Sequence, residues 1–555
     1  MKFSNNILSN SITQLCLVNE IDHIVISPGS RNAPLIIGFT EEPNFKCFSI
    51  VDERCAAFFA IGLAQQLKKP VAVVCTSGSA LLNYYPAVAE AFYSDIPLVI
   101  ISADRPAHLI EIGDGQTIRQ ENVFANHILY NANCKDGDDS DANENIIDKA
   151  LKTAIYQRGP VHINAPFSEP LYEQSLEPVL KKSRICKKNP ASTEIFMEDL
   201  GPFATKWNSS KRKIILVGVL DPESVEQRFL NILAKDESVI VLTEVTSNLH
   251  HNDFFPAIDQ LIAPLNDTGF KDLRPDILLT FGGMVVSKKI KAFLRKYSPS
   301  EHWHADVKKA YDTYFCLHQH FKIGPNEFFK LFLPLVKGIS STYQSSWGEV
   351  KTQRLTRHAV FEKDSVYSDF KVFSEIFKTI PAKSQLQLGN SATVRYAQLF
   401  DLDISLHVFC NRGTSGIDGS LSTSIGAAVA SKLPTVFVTG DLGFLYDSNG
   451  LWNNYIPNSF RIVLINNGGG GIFRILPGAK KVEYFSEFFE TKHSLTAEHL
   501  CAMYDIEYAS ASDYETMKLQ LDKFYQTSKR PKLIEISTPS NLNDQVLRDY
   551  FQFIS

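Results

Sequence analysis

Short apolar runs recur along the chain, each followed by a Gly/Ser/Asp/Pro turn and then a longer stretch of helical periodicity. In the first third they are "HIVISPGS", "FSIVDERCAAFFAIGLAQQL", "PVAVVCTSGSALLNYYPAVAEAFYS", "IPLVIISADRP" and "GPVHINAPF". Continuous β-branched runs mark strands buried on both faces, and the helical stretches between them are the crossovers that a parallel sheet requires. The pattern predicts an α/β layer. It fades in "LKKSRICKKNPASTEIF", resumes through "KRKIILVGVL", "VIVLTEVTSNL" and "RPDILLTFGG", and breaks again in the polar passage "SSTYQSSWGEVKTQR". A third block carries "SQLQLGNSATVRYAQ", "HVFCNRGTSGIDGSLSTSIGAAVA", "LPTVFVTGDLGFLYDSNGLW", "RIVLINNGGGGIF" and "PKLIEIST". The economical reading is three doubly wound parallel-sheet domains over residues 1–182, 190–340 and 355–555, with linkers between them. The acidic segment "NCKDGDDSDANENI" reads as a solvated loop that leads into a helix of the first domain.

Length agrees with this division, because 555 residues exceed what one hydrophobic core accommodates. A net charge of −5, with Lys and Arg scattered, leaves no basic stripe for nucleic acid or an anionic membrane, so small molecules are the expected partners. The nine Cys have no CxxC spacing and mostly sit in apolar runs, which fits buried free thiols in a reducing compartment better than disulfides or zinc. The first residues, "MKFSNNILSNSITQLCLV", lack the apolar core of a signal peptide, and no segment reaches the ~18 apolar residues of a membrane span. A cytoplasmic location is expected.

The chemistry gathers at the glycines of "INNGGGGIF". Four consecutive Gly after a buried strand describe either a flexible loop or a place where backbone approaches a ligand or ion. Upstream, "VFVTGDLGFLYD" ends another strand in Gly440-Asp441, and Asn467 follows Asp441 by 26 residues, room for one helix and one strand. Both turns can therefore end at one sheet edge, where ligands of open α/β sheets bind. Asp441, the Asn467 side chain and a Gly469 carbonyl are hard oxygen donors that suit Mg²⁺ with phosphate. A tight turn with a helix cap is the alternative for the same residues. A single glycine in "VISPGSRNAPL" argues against a nicotinamide-binding fingerprint, which needs three.

The GD and NN pairs resemble the diphosphate-binding motif of thiamine-diphosphate enzymes, with Leu442 where the motif has Gly. That family carries an early glutamate, after a strand and at a helix start, which hydrogen-bonds the cofactor's pyrimidine ring; Glu53 of "VDER" stands there and would be the catalytic residue. More narrowly, "SPGSRNAPL", "TSGSALLNYYPAVAEA", "SADRPAHLIEIGDGQTIRQ", "GPVHINAPFSEPL", "GNSATVR" and "NRGTSGIDGSLSTSIGAA" resemble the synthases of menaquinone biosynthesis. The resemblance implies decarboxylation of 2-oxoglutarate and 1,4-addition of the succinyl carbanion equivalent to isochorismate, with thiamine diphosphate and Mg²⁺ or Mn²⁺. An acetolactate synthase or a 2-oxoacid decarboxylase is the nearest alternative.

Carried onto this sequence, the resemblance assigns the cofactor to Glu53, Ser391, Ile417, Gly440, Asp441, Leu442, Asn467 and Ile472, and the metal to Asp441, Asn467 and Gly469. It assigns substrates to Ser30, Arg31, Arg105, Gln116, Lys288, Asn390, Ser391, Arg395, Arg412, Phe473 and Leu476, with Arg395 and Arg412 on the carboxylate from 2-oxoglutarate. Two dicarboxylic substrates explain the Arg content physically, since guanidinium groups pair bidentately with carboxylates. Taken singly, an Arg is more often a surface charge than a site residue, and nothing local chooses between Lys288 and Lys289. Gly115 stands where the family often has Asn. The family also implies a homodimer or homotetramer with each active site at a subunit interface.

Overall fold

The β-branched runs form strands, and the turns after them hold the polar motifs. A computed structural model describes residues 3–137, 140–176, 197–475 and 481–555. The first sheet comprises β1 (His23–Ile26), β2 (Lys46–Ser49), β3 (Val71–Cys75), β4 (Leu98–Asp104), β5 (Tyr130–Asn133) and β6 (Val161–Pro166), all parallel, in the order β2-β1-β3-β4-β6-β5. The second has β7 (Lys213–Val217), β8 (Val239–Leu242), β9 (Ile277–Phe281), β10 (Glu301–Ala305) and β11 (Gln319–Phe321), in the order β8-β7-β9-β10-β11. The third has β12 (Gln385–Leu388), β13 (His407–Cys410), β14 (Thr435–Gly440), β15 (Arg461–Asn466), β16 (Glu507–Ala511) and β17 (Lys532–Ser537), in the order β13-β12-β14-β15-β17-β16. First and third sheets thus share one topology, although no short repeat is visible in their sequences.

Central strands such as β3 and β4 are buried along their whole length, as expected of parallel sheets covered on both faces. The helix Glu53–Leu67 starts where the Asp52 side chain accepts from the Cys55 N–H, and it is buried from Cys55 to Ala64. Its outer face meets the helix Ser420–Ala430 of the third layer, and glycine makes the approach possible. A Cβ on Gly62 would lie 2.0 Å from the Thr423 carbonyl oxygen, and one on Gly426 would lie 2.0 Å from that of Phe59. The first and third layers are therefore joined backbone to backbone.

The polar passage read as a second linker is the start of a helix, Tyr343–Asp364, in which only Tyr343 and Trp347 are buried. A helix polar on most of its surface gives no apolar stripe to read in the sequence. It bridges two layers: the Tyr343 hydroxyl donates to the Leu273 carbonyl (2.5 Å), and His358 Nδ1 pairs with the Tyr550 hydroxyl (2.9 Å). The first linker, "LKKSRICKKNPASTEIF", lies outside the described residues. Among the described residues, no helix is long and apolar enough to cross a membrane, and all eight cysteines are free.

Candidate active site

The predicted site residues follow the carboxyl ends of strands. Ser30 and Arg31 come after β1, Glu53 after β2, Arg105 after β4, Asn390 and Ser391 after β12, Arg412 after β13, Asp441 after β14, and Asn467 after β15. The third sheet reverses direction between β12 and β14, so Ser391 and Asp441 flank its topological switch point, where such sheets bind ligands. Ser391 holds φ +71°, a conformation that non-glycine residues adopt at a cost, directly before the helix Ala392–Ala397.

Asp441 opens the helix Asp441–Tyr446 and is buried. Its Oδ1 accepts from the Leu442 N–H (2.7 Å) and its Oδ2 from the Gly469 N–H (2.9 Å), with His493 Nε2 3.3 Å from Oδ2. Burial raises its pKa above the ordinary carboxylate range, and the backbone N–H groups oppose that shift. The glycine run is the counterpart of this carboxylate. Gly469 has φ +145°, and a Cβ there would lie 2.5 Å from the Glu490 carbonyl oxygen, so no other residue fits the turn. Asn467 donates its amide N–H to Asp369 Oδ2 (3.0 Å), which leaves its side-chain oxygen for another partner. Ile417 stands over the Asp441 helix, its Cβ 3.8 Å from the position of a Cβ on Gly443. Ile472 and Phe473 occupy the 3-10 turn Gly471–Ile475. Leu476 lies outside the described residues.

Arg395, on the helix Ala392–Ala397 after β12, and Arg412, on the turn after β13, lie close enough for their charges to interact. Arg412 is 9% exposed, donates Nη1 to Asn390 Oδ1 (2.7 Å), and has no partner for its buried Nε among the described residues. Arg395 donates Nη1 to the Ser391 carbonyl (2.7 Å). Burial first, and then the Arg412 charge, lower the Arg395 pKa, and the Asp259 and Glu244 carboxylates oppose that shift. Asn390 spends its amide N–H groups on the Asn411 and Gly416 carbonyls, both at 2.7 Å, which knits the two turns together. From the first layer, the buried Glu90 accepts from the Gly413 N–H (2.7 Å), the Thr414 N–H (2.6 Å) and the Thr414 hydroxyl (2.8 Å). Arg412 lines a cavity of about 640 Å³ where the three layers meet, together with Lys291 of the second.

In the first layer, Asn83 of "TSGSALLN" donates to Glu53 Oε2 (3.2 Å), so the motif and the glutamate meet in space. Gln116 has φ +54° and packs its backbone on Gly78, where a Cβ would lie 3.2 Å from the Gln116 carbonyl oxygen. Arg105 Nη2 donates to the Gly115 carbonyl (3.2 Å), and its Nε is buried without a partner among the described residues. Arg31 is buried, with Nη1 on the Phe167 carbonyl (2.9 Å) and Nη2 3.2 Å from Glu169 Oε1, whereas Ser30 is exposed. Lys288 is also exposed, and Lys289 turns its ammonium over the Phe551 ring (4.5 Å). Sequence reasoning passed over Glu90, Asp369, Asn83 and Lys291. Asn83 and Glu90 had a local signal, their place in the motif "TSGSALLNYYPAVAEA" already singled out.

Residues 8–127 match the family model for the N-terminal TPP-binding domain of thiamine pyrophosphate enzymes, residues 189–388 that for the middle domain, and residues 389–536 that for the C-terminal TPP-binding domain. Fold, strand-end turns and these matches together define a thiamine-diphosphate-dependent enzyme. Over 98% of its length the chain is 54% identical to the 2-succinyl-5-enolpyruvyl-6-hydroxy-3-cyclohexene-1-carboxylate synthase of Flavobacterium johnsoniae, of which it covers 98%. It is 53% identical to the synthase of the same name from Christiangramia forsetii, with 100% of both chains covered. Against that of Porphyromonas gingivalis the identity is 36%, over 96% of this chain and 95% of the other. The chain belongs to this synthase family.

Proposed function

We propose that the chain decarboxylates 2-oxoglutarate and adds the resulting four-carbon unit to the conjugated double bond of isochorismate, forming 2-succinyl-5-enolpyruvyl-6-hydroxy-3-cyclohexene-1-carboxylate. The observation that carries the reading is the buried, under-partnered Arg412, close enough for its charge to act on Arg395 and lining the cavity between the layers, which suits a substrate carboxylate. A 2-oxoacid without a second carboxylate has no use for such a pair.

Asp441, the Asn467 side chain and the Gly469 carbonyl would hold Mg²⁺ or Mn²⁺ against the diphosphate. The donor set suits a hard cation, and the Asn467 oxygen is free because Asp369 takes the N–H side. Among the described residues no group of three or more His, Cys, Asp or Glu is placed to hold a metal, and this set needs only one of them. Ser391, Ile417, Gly440, Leu442 and Ile472 would hold the rest of the cofactor, and Glu53 its pyrimidine ring. Thiamine diphosphate, when bound, supplies the nucleophilic carbon and the electron sink for decarboxylation. The side chains of this protein orient the reactants: Arg395 and Arg412 on 2-oxoglutarate, with Asn390 bracing Arg412, and Ser30, Arg31, Arg105, Gln116 and Lys288 on isochorismate, walled by Phe473. Closing this site against water strengthens each of those charged contacts.

Division into domains 1–182, 190–340 and 355–555 is supported by sheets that span 23–166, 213–321 and 385–537. A homodimer or homotetramer, with Glu53 of one subunit serving the metal turn of another, is supported by exposed apolar residues on segments that neighbour Glu53, namely Val51, Leu82, Tyr446 and Trp452. Free thiols fit a cytoplasmic location. The test is a coupled assay with purified protein, thiamine diphosphate, Mg²⁺, 2-oxoglutarate and isochorismate, following isochorismate absorbance and the product mass. Consumption that needs every addition supports the reading. CO₂ released from pyruvate instead, with isochorismate untouched, would overturn the substrates.

A further inference from the structure

Behind the proposed metal turn lies a buried carboxylate that has no part in the reaction as derived above. Asp369 is 3% exposed and stands 98 residues before Asn467, at the start of the helix Asp369–Thr379. Its Oδ2 accepts the Asn467 amide N–H (3.0 Å), and its Oδ1 accepts the Thr538 hydroxyl (2.5 Å). Asn543 ties the pair down: its Oδ1 accepts from the Asp369 backbone N–H (2.8 Å), and its amide N–H reaches the Thr538 oxygen (3.4 Å). Because that N–H points at the Thr538 oxygen, the hydroxyl proton is directed to Asp369, so both carboxylate oxygens act as acceptors. Thr538 itself follows β17 and donates its backbone N–H to the Asn466 carbonyl (3.0 Å), anchoring the network to the turn it serves.

We propose that Asp369 is a positioning residue for the metal site: it fixes which way the Asn467 amide faces. A carboxamide has one oxygen and one nitrogen of nearly identical shape, and only the oxygen ligates a cation. Flipped, it would turn an N–H toward the metal. An acceptor-only carboxylate can receive the N–H side and not the oxygen, so Asp369 selects the ligating orientation before the cation arrives. Partners that orient a metal ligand in this way typically change affinity about 10- to 100-fold when removed. The inference rests on the reading of Asp441, Asn467 and Gly469 as metal ligands.

The test is Mn²⁺ binding, read by electron paramagnetic resonance of free Mn²⁺ with thiamine diphosphate in excess, on the full chain and four variants. Asp369→Ala should weaken Mn²⁺ binding about 10- to 100-fold. Asp369→Asn presents one oxygen and one NH₂, and the NH₂ meets the Asn467 oxygen as readily as the oxygen meets its N–H, so this variant no longer selects and should also lose affinity. Thr538→Val, which leaves Asp369 acceptor-only but frees one of its oxygens, should lose less than either and carries the test if the Ala variant does not fold. Wild-type affinity in Asp369→Asn beside a loss in Asp369→Ala would show that a single acceptor oxygen suffices and overturn selection by the carboxylate. So would a folded Asp369→Ala or Thr538→Val whose affinity stays at the wild-type value while Asp441→Ala has lost binding. If Asp441→Ala binds Mn²⁺ as the wild type does, the metal site itself falls, and this proposal with it.

Discussion

Glu90 ties the first layer to the turn of the third that carries Arg412, and replacing it by Gln tests that joint. Oε1 accepts from the Gly413 N–H and from the Ser94 hydroxyl (2.8 Å), while Oε2 accepts from the Thr414 N–H and hydroxyl. A carboxamide presents only one oxygen. Whichever way it turns, its NH₂ confronts a backbone N–H, the buried one of Gly413 or the half-buried one of Thr414, and the loss of that bond costs about 1–3 kcal/mol, least at Thr414. The bonds that survive lose the carboxylate's charge, about 1 kcal/mol each. Together the loss is roughly 3–5 kcal/mol, a large share of ordinary net stability. At about 2–4 °C per kcal/mol for domains of this size, the first thermal transition should fall by roughly 10 °C. Arg412 precedes Gly413 on the same turn, so the Michaelis constant for 2-oxoglutarate should rise about tenfold if only 1.4 kcal/mol of the loss reaches the guanidinium, with less change for isochorismate. Scanning fluorimetry and steady-state kinetics with each substrate varied in turn would show both. A Glu90→Gln protein that melts with the wild type and keeps its Michaelis constants would refute the idea that this joint positions Arg412.

Glu53→Gln should fold normally, with melting unchanged, but lose about 10²- to 10⁴-fold in turnover, and undiminished turnover would end the role given to Glu53. Gly469→Ala forces a Cβ to within 2.5 Å of the Glu490 carbonyl oxygen at φ +145°, so cofactor affinity in an equilibrium titration should drop; normal affinity would show that the turn can rearrange. Asp447 is fully buried against Arg54 and Ser422, and burial pushes its pKa up to about 7. In the unfolded chain this carboxyl ionises near pH ~4, so its contribution to stability falls as pH rises from about 4 to about 7 and is level above. Asp447→Asn lacks that dependence. Its stability relative to the wild type should therefore improve across the same window, by up to about 1.4 kcal/mol per pH unit in urea titrations, and a difference that stays constant with pH would contradict the burial argument.

Much of the fold was legible because the strands are continuous apolar runs and the polar motifs sit in the turns that end them. Burial on both faces leaves a parallel strand few polar positions, and ligand chemistry is displaced to its carboxyl end, so "VTGD", "INNGGGG", "GNSATVR" and "NRGTSG" all stand at or immediately after the ends of runs that the sequence alone identifies. The helix Tyr343–Asp364 was not legible, since its mostly polar surface carries no period to read.

What the sequence by itself determined, then, is the alternation of elements, the residue types of the site, and the cofactor class that those types require. Tertiary structure alone decided which groups meet. Glu90 lies 323 residues before Gly413, and Asp369 lies 98 before Asn467; a hydrogen bond across such a separation leaves no mark on local composition. It also decided among neighbours of one kind. Lys288, Lys289 and Lys291 are equivalent as letters, but burial of Ile290, Phe293 and Leu294 on the helix Lys288–Lys296 sets its rotation, which leaves Lys288 in solvent, lays Lys289 on Phe551 and turns Lys291 to the cavity that Arg412 shares. Helix rotation and long-range contact follow from packing of the whole chain, and packing is the one property that a linear pattern does not carry.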